Sequence, residues 1–83
     1  SGLKIVGLNQ GEILRRANGR EAPRVRLEIR GQPGAVHWMM NGRMLDSPAQ
    51  GTAQIVEFSE AGRFDITAFD DQGRYDRVSV SVR

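Results

Sequence analysis

The chain has 83 residues, a length at which one core forms but buries only roughly 60 to 65% of the surface of the unfolded chain, so a single domain over residues 1–83 of modest stability is expected. It has no cysteine, which excludes disulfides and thiolate metal sites. No apolar run approaches the roughly eighteen residues needed to cross a bilayer, no basic and apolar leader opens the chain, and a soluble piece without direct membrane insertion is expected. The net charge of +2 is unevenly divided: residues 1–30 hold seven basic and three acidic side chains, and residues 31–83 hold five and seven.

Leu3 to Leu8 and Glu12 to Arg15 read as short strands broken at Gly7 and Gly11, the form of an interrupted first strand along a sheet edge. Asn18-Gly19 to Pro23 is expected to be loop. Val25, Leu27 and Ile29 then alternate with Arg24, Arg26, Glu28 and Arg30, giving a strand with one buried and one charged face. The basic stripe of Arg15, Arg16, Arg20, Arg24, Arg26 and Arg30 could meet nucleic acid, an acidic cell-wall polymer or the acidic face of a partner. Nucleic-acid sites interleave aromatic and basic groups, and this third of the chain has no aromatic residue. The stripe is therefore read as a solvated strand exterior, and no nucleic-acid partner is expected.

Gly31-Gln32-Pro33-Gly34 ends that strand with a strong turn signal. Val36 to Leu45 is a hairpin closed by Asn41-Gly42, the pair suited to the positive φ angles of a type I′ turn. A two-residue loop sets Met40 opposite Arg43, Met39 opposite Met44 and Trp38 opposite Leu45, with Val36, Trp38 and Leu45 on the core face. Ser47 to Thr52 is loop, Gln54 to Phe58 is a strand, and Gly62 to Val82 is a second hairpin around Asp70-Asp71-Gln72-Gly73. Phe64, Ile66 and Ala68 share one face of its first strand, and Val78, Val80 and Val82 one face of its second.

Short strands with turns every eight to twelve residues point to an all-β fold, a small antiparallel immunoglobulin-like β-sandwich with Greek-key connections. Trp38 and Phe64 stand at the immunoglobulin landmarks, without the disulfide and without the hydroxyl of a tyrosine corner. The phase of Trp38 predicts that it is a core anchor rather than a sugar platform.

Alternation places His37 on the face opposite Trp38. A lone imidazole with no second histidine or cysteine cannot assemble a zinc site without several carboxylates, and no nucleophile is paired with it in the sequence. Asp70, Asp71 and Asp76 lack the order of a calcium loop, and turn chemistry accounts for Asp70 and Asp71 through bonds to nearby backbone amides. No catalytic, cofactor or metal residue is therefore assigned. The outward residues His37, Met39, Met44, Phe69 and Tyr75 form an apolar patch, the kind of feature that marks a docking site.

The spaced pieces His37-Trp38-Met39-Met40-Asn41-Gly42, Phe58 with Gly62 and Phe64, and Thr67-Ala68-Phe69-Asp70-Asp71-Gln72-Gly73-Arg74-Tyr75-Asp76 together resemble the non-catalytic C-terminal domain of bifunctional (class A) penicillin-binding proteins of the 1C type. The likeness extends to Ile5 to Leu8 and Gly11 to Leu14. It implies a periplasmic address on an inner-membrane-anchored peptidoglycan glycosyltransferase and transpeptidase. This chain holds neither the S-x-x-K nor the K-[ST]-G motif of such a transpeptidase; its one lysine is Lys4. An accessory module without enzyme activity is expected, with the parent's catalytic domains or an envelope protein such as a macroglobulin-like protein as partner. The alternative is a carbohydrate-binding module that holds peptidoglycan through exposed aromatics.

Overall fold

A computed structural model, which describes residues 2–15, 22–31, 35–45 and 53–83, resolves this pattern into two packed sheets and no helix. One sheet is three-stranded, in the order β1 (Lys4–Val6), β3 (Arg24–Arg30), β6 (Gln54–Glu57). The other is five-stranded, in the order β2 (Ile13–Leu14), β8 (Tyr75–Val82), β7 (Gly62–Asp70), β4 (Val36–Met40), β5 (Arg43–Met44). The expected all-β, immunoglobulin-like sandwich is the observed fold.

One pairing departs from the antiparallel expectation: β2 lies parallel to β8, with Ile13 beside Ser81 and Leu14 beside Val82. The cause is the interrupted first strand. β1 pairs antiparallel with β3 through Lys4, Ile5 and Val6, and the chain then leaves that sheet at Gly7, whose φ of 119° only glycine adopts readily. A Cβ at this position would stand 2.6 Å from the Arg26 carbonyl oxygen, so glycine is also needed for close backbone approach. After Gly11 the chain joins the opposite sheet, with the Gly11 N–H donating to the Ser79 carbonyl at 2.7 Å and the Ser81 N–H donating to the Glu12 carbonyl at 2.9 Å. The strands themselves are shorter than Leu3 to Leu8, Glu12 to Arg15 and Gln54 to Phe58, yet Leu3, Leu8 and Phe58 are buried beyond their ends.

The core lies between the sheets and follows the alternation of the sequence. Leu27 and Ile29 from β3 and Ile5 from β1 face Trp38, Ile66, Ala68, Val78, Val80 and Val82 from the second sheet. Leu45 and Phe64 are half-buried at its margin, and Phe64 meets Phe58 edge-on at 5.2 Å. The β4–β5 register is the expected one, Met39 opposite Met44 and Met40 opposite Arg43, and Asn41 and Gly42 have φ of 52° and 81°, the double positive φ of a type I′ turn. The Leu45 N–H continues the pairing to the Trp38 carbonyl at 2.9 Å. The expected loops at Asn18 to Pro23, Gly31 to Gly34 and Ser47 to Thr52 fall largely or wholly outside the described residues, as do Arg16 and Arg20.

Trp38 is 1% exposed and among the largest fully buried side chains. Trp38→Ala should lower stability by about 3 to 5 kcal/mol, the range for emptying an aromatic site in a core, which in a domain of this size removes most of the margin. A urea titration checks this: an unchanged midpoint would show that Trp38 does not anchor the core.

Candidate functional site

The outward-facing residues of the five-stranded sheet fall into rows across the strands. His37 pairs with Phe69 and Phe69 with Tyr75; Met44 pairs with Met39, Met39 with Thr67 and Thr67 with Arg77. The five residues expected to form one patch are thus brought together in two neighbouring rows. Their exposure differs from the expectation of a fully outward set. Met44 is 56% and Tyr75 66% exposed, whereas His37, Met39 and Phe69 are only partly accessible. They sit on interior strands, where side chains on both flanking strands cover part of each residue, while Met44 is on the edge strand and Tyr75 begins β8 beside the turn. The His37 and Phe69 rings lie 5.2 Å apart and tilted by 34°.

The turn beside these rows is built by Asp70. Its carboxylate, 5% exposed, accepts the Gln72 N–H at 2.9 Å and the Arg74 N–H at 3.0 Å on Oδ1, and the Arg74 guanidinium at 2.7 Å on Oδ2. The backbone closes the same loop, with the Asp70 N–H donating to the Arg74 carbonyl at 3.0 Å and Gly73 at a φ of 84°. Burial alone would raise the Asp70 pKa. The Arg74 amide and guanidinium and the Gln72 amide outweigh it and hold the carboxyl below its ordinary range.

Asp71 behaves differently from the expected turn role. Its carboxylate reaches across to His37, Nε2 to Oδ1 at 3.1 Å, and is largely solvent-exposed. An exposed pair of this kind contributes little to stability, but it orients the imidazole on the patch. Asp76 points to a third partner: its Oδ2 accepts the Ile5 N–H at 2.8 Å. The three aspartates are therefore turned to an arginine and turn amides, to a histidine, and to a strand edge.

The opposite end of the same face is polar. Asp65 accepts the Ser79 hydroxyl at 2.5 Å and lies 3.5 Å from the Arg63 guanidinium. The Ser79 hydrogen bond is the main cause of its lowered pKa, opposed by burial and aided by Arg63. Asn41 adds a bond that its turn propensity did not disclose, its Oδ1 accepting the Asp65 N–H at 2.8 Å. Sequence reasoning also left out Thr67 and Arg77. Both share the parity of Phe69 and Tyr75 along their strands, which was the available signal.

Because Asp65 and Asp70 have folded pKa values below those of the unfolded chain, their stabilisation is present above the ordinary aspartate range and is lost as pH falls through the lowered values. The urea midpoint should hold steady near neutrality and decline below about pH 4, where unfolded aspartates take up protons first. Asp70→Asn should lower the midpoint at neutral pH and flatten the acid limb. An acid limb as steep as that of the wild type would show that Asp70 is not a source of the pH dependence.

No curated protein and no solved structure shows a significant match to the chain. A family model does: the Penicillin-Binding Protein C-terminus Family matches residues 1–82. That match takes in the Asp70 to Asp76 turn, the Asn41-Gly42 hairpin and the interrupted first strand alike, and the chain belongs to this family of penicillin-binding protein C-terminal domains.

Proposed function

We propose that the chain is a non-catalytic accessory domain of a bifunctional, class A penicillin-binding protein of the 1C type, and that it docks through the patch of His37, Met39, Met44, Phe69 and Tyr75 onto the catalytic domains of that parent enzyme. On this reading it works in the periplasm, as part of an inner-membrane-anchored peptidoglycan synthase. The observation that carries the docking reading is the pairing of His37 with Phe69 and Phe69 with Tyr75 beside the Met39 and Met44 pair. These residues adjoin in the strand register, and their outermost members, Met44 and Tyr75, are more than half exposed.

Apolar area gathered in this way on a small polar domain is stabilised by being covered, and methionine and aromatic residues are enriched in protein interfaces. Such residues concentrate binding energy when a partner excludes water from around them. The sequence carries no transpeptidase motif, which supports an accessory rather than a catalytic role.

The test is Met44→Asp combined with Tyr75→Ser, chosen because both side chains are exposed and folding should be retained. Binding of the 83-residue protein to the parent's purified catalytic domains should weaken by about tenfold or more, as expected for loss of interface anchors. Unchanged binding of a folded double variant would overturn the docking surface. Retention of the wild type on purified sacculi, abolished by Tyr75→Ser alone, would instead favour the carbohydrate-binding alternative. Loss of binding to a macroglobulin-like envelope protein, with the catalytic domains still bound, would move the partner outside the parent enzyme.

A further inference from the structure

The three-stranded sheet ends in an open edge. β6 pairs with β3 on one side, and among the described residues no strand pairs with its other side. The Phe58 N–H donates to the Pro23 carbonyl at 2.9 Å, which continues the β3–β6 register by one residue. Because hydrogen-bonded and non-hydrogen-bonded pairs alternate along an antiparallel ladder, Val56 turns its N–H and C=O to β3 as Phe58 does, and Ile55 and Glu57 turn theirs away. A row of outward donors and acceptors is a template for another strand.

The side chains along this edge add a pattern to the template. Val56 and Phe58 are buried, whereas Ile55 and Glu57 lie on the outer face. Ile55 is 56% exposed and stands opposite Arg26, an uncovered aliphatic side chain beside a charged one. Glu57 stands opposite Arg24, 3.8 Å from its guanidinium, with a cation on one flank and an open position on the other. A cavity of about 450 Å3 adjoins the end of the strand, lined from the other sheet by Met40, Arg43 and Phe64 and on this side by Glu57 and Glu60. Met40 and Phe64 are half-buried against the core, so the cavity has an apolar floor.

We propose that β6 is a docking edge for an extended segment of a partner protein, which adds to the sheet as an antiparallel strand, bonds Ile55 and Glu57 through its backbone and seats an apolar side chain over Met40 and Phe64. The register states what that segment carries. An aliphatic residue opposite Ile55 covers it, and a basic residue opposite Glu57 continues the alternation of charge that Arg24 begins. The residue before the basic one is level with Phe58 and points inwards, where the cavity opens. A second copy of this chain is the poorer occupant, since β6 has no basic residue to set opposite Glu57. The edge belongs to the sheet opposite the His37 to Tyr75 rows, so neither reading depends on the other.

The hexapeptide acetyl-TVKVVT-amide supplies a segment of this kind. Added to the isotope-labelled 83-residue protein, it should give saturable NMR shifts at the Met40, Ile55, Glu57 and Ser59 amides and slow hydrogen exchange at Ile55 and Glu57. The same peptide N-methylated at its lysine and its last valine lacks the two backbone donors that meet β6 and should bind about tenfold more weakly, the worth of a net hydrogen bond or two. Ile55→Pro removes an N–H that β3 does not use, a change that edge strands accept, and should abolish binding by a folded domain; the N-methylated peptide makes the same test on the unaltered protein. Glu57→Lys should weaken binding, and a peptide with glutamate in place of lysine should restore it. Absence of saturable shifts along β6, equal binding of the N-methylated peptide, or shifts centred on Met44 and Tyr75 would overturn the proposal. A dimer seen by sedimentation and abolished by Ile55→Pro would overturn it too, by assigning the edge to a second copy.

Discussion

The register of the β7–β8 hairpin is set where Asp70 enters the core margin, and the remainder of the five-stranded sheet is arranged on that hairpin. A buried carboxylate without partners would be costly. Here it accepts two turn amides and a guanidinium, which closes the connection between Phe69 and Tyr75 in one geometry. Because side chains alternate with a period of two, a slip of one residue would move Val78, Val80 and Val82 to the solvent side. β7 also pairs with β4 along the whole of Val36 to Met40, so the position of Trp38 over the core depends on the strand that this turn holds in place.

The second constraint is the closure of the sandwich. A first strand confined to one sheet would leave the edge of β8 bare, and edges present unpaired groups that invite aggregation. Crossing at Gly7 and rejoining after Gly11 covers the C-terminal half of β8 with β2, while Asp76 accepts the outward N–H of Ile5 and so ties β1 to β8 across the seam. The crossing requires backbone conformations that glycine adopts at low cost, and the 2.6 Å approach to Arg26 makes Gly7 a steric requirement as well. The seam that remains open is the part of the edge that neither device covers.

Much of this was legible in the sequence. Strict alternation in Val25 to Ile29, Phe64 to Ala68 and Val78 to Val82 gave the strands and their buried faces, since a sheet with one wet face leaves no other period. Asn41-Gly42 gave the β4–β5 register because few residue pairs tolerate two positive φ angles. The parallel pairing of β2 was not legible: two residues carry no period, and the choice of sheet is made by long-range contacts with β8. Asp70 is a turn residue, as its sequence context implies, but its ion pair with Arg74 depends on the three-dimensional closure of the loop. Asp71 shares that sequence context and instead pairs with His37, thirty-four residues away. The candidate patch was legible in its membership, through parity, and less so in its exposure, because the shielding of His37, Met39 and Phe69 comes from neighbouring strands.

The chemistry of the five-stranded sheet's outer face separates along its strands. Tyr75 and Arg77 have the same parity on β8, so the strand that sets Tyr75 beside Phe69 also sets Arg77 beside Thr67. Towards β4 and β5 the rows end in His37, Met39 and Met44, where covering apolar area provides the driving force. Away from the turn the face is charged, and the Ser79 hydroxyl, helped by Arg63 and Arg77, holds the Asp65 carboxyl below its ordinary range. Apolar contact is short-ranged and depends on fit, whereas exposed charge acts over roughly a Debye length of about 8 Å at physiological salt. Arg77 therefore borders the apolar rows with a charge already drawn towards Asp65, and the strand that carries it is fixed in register by the turn at Asp70.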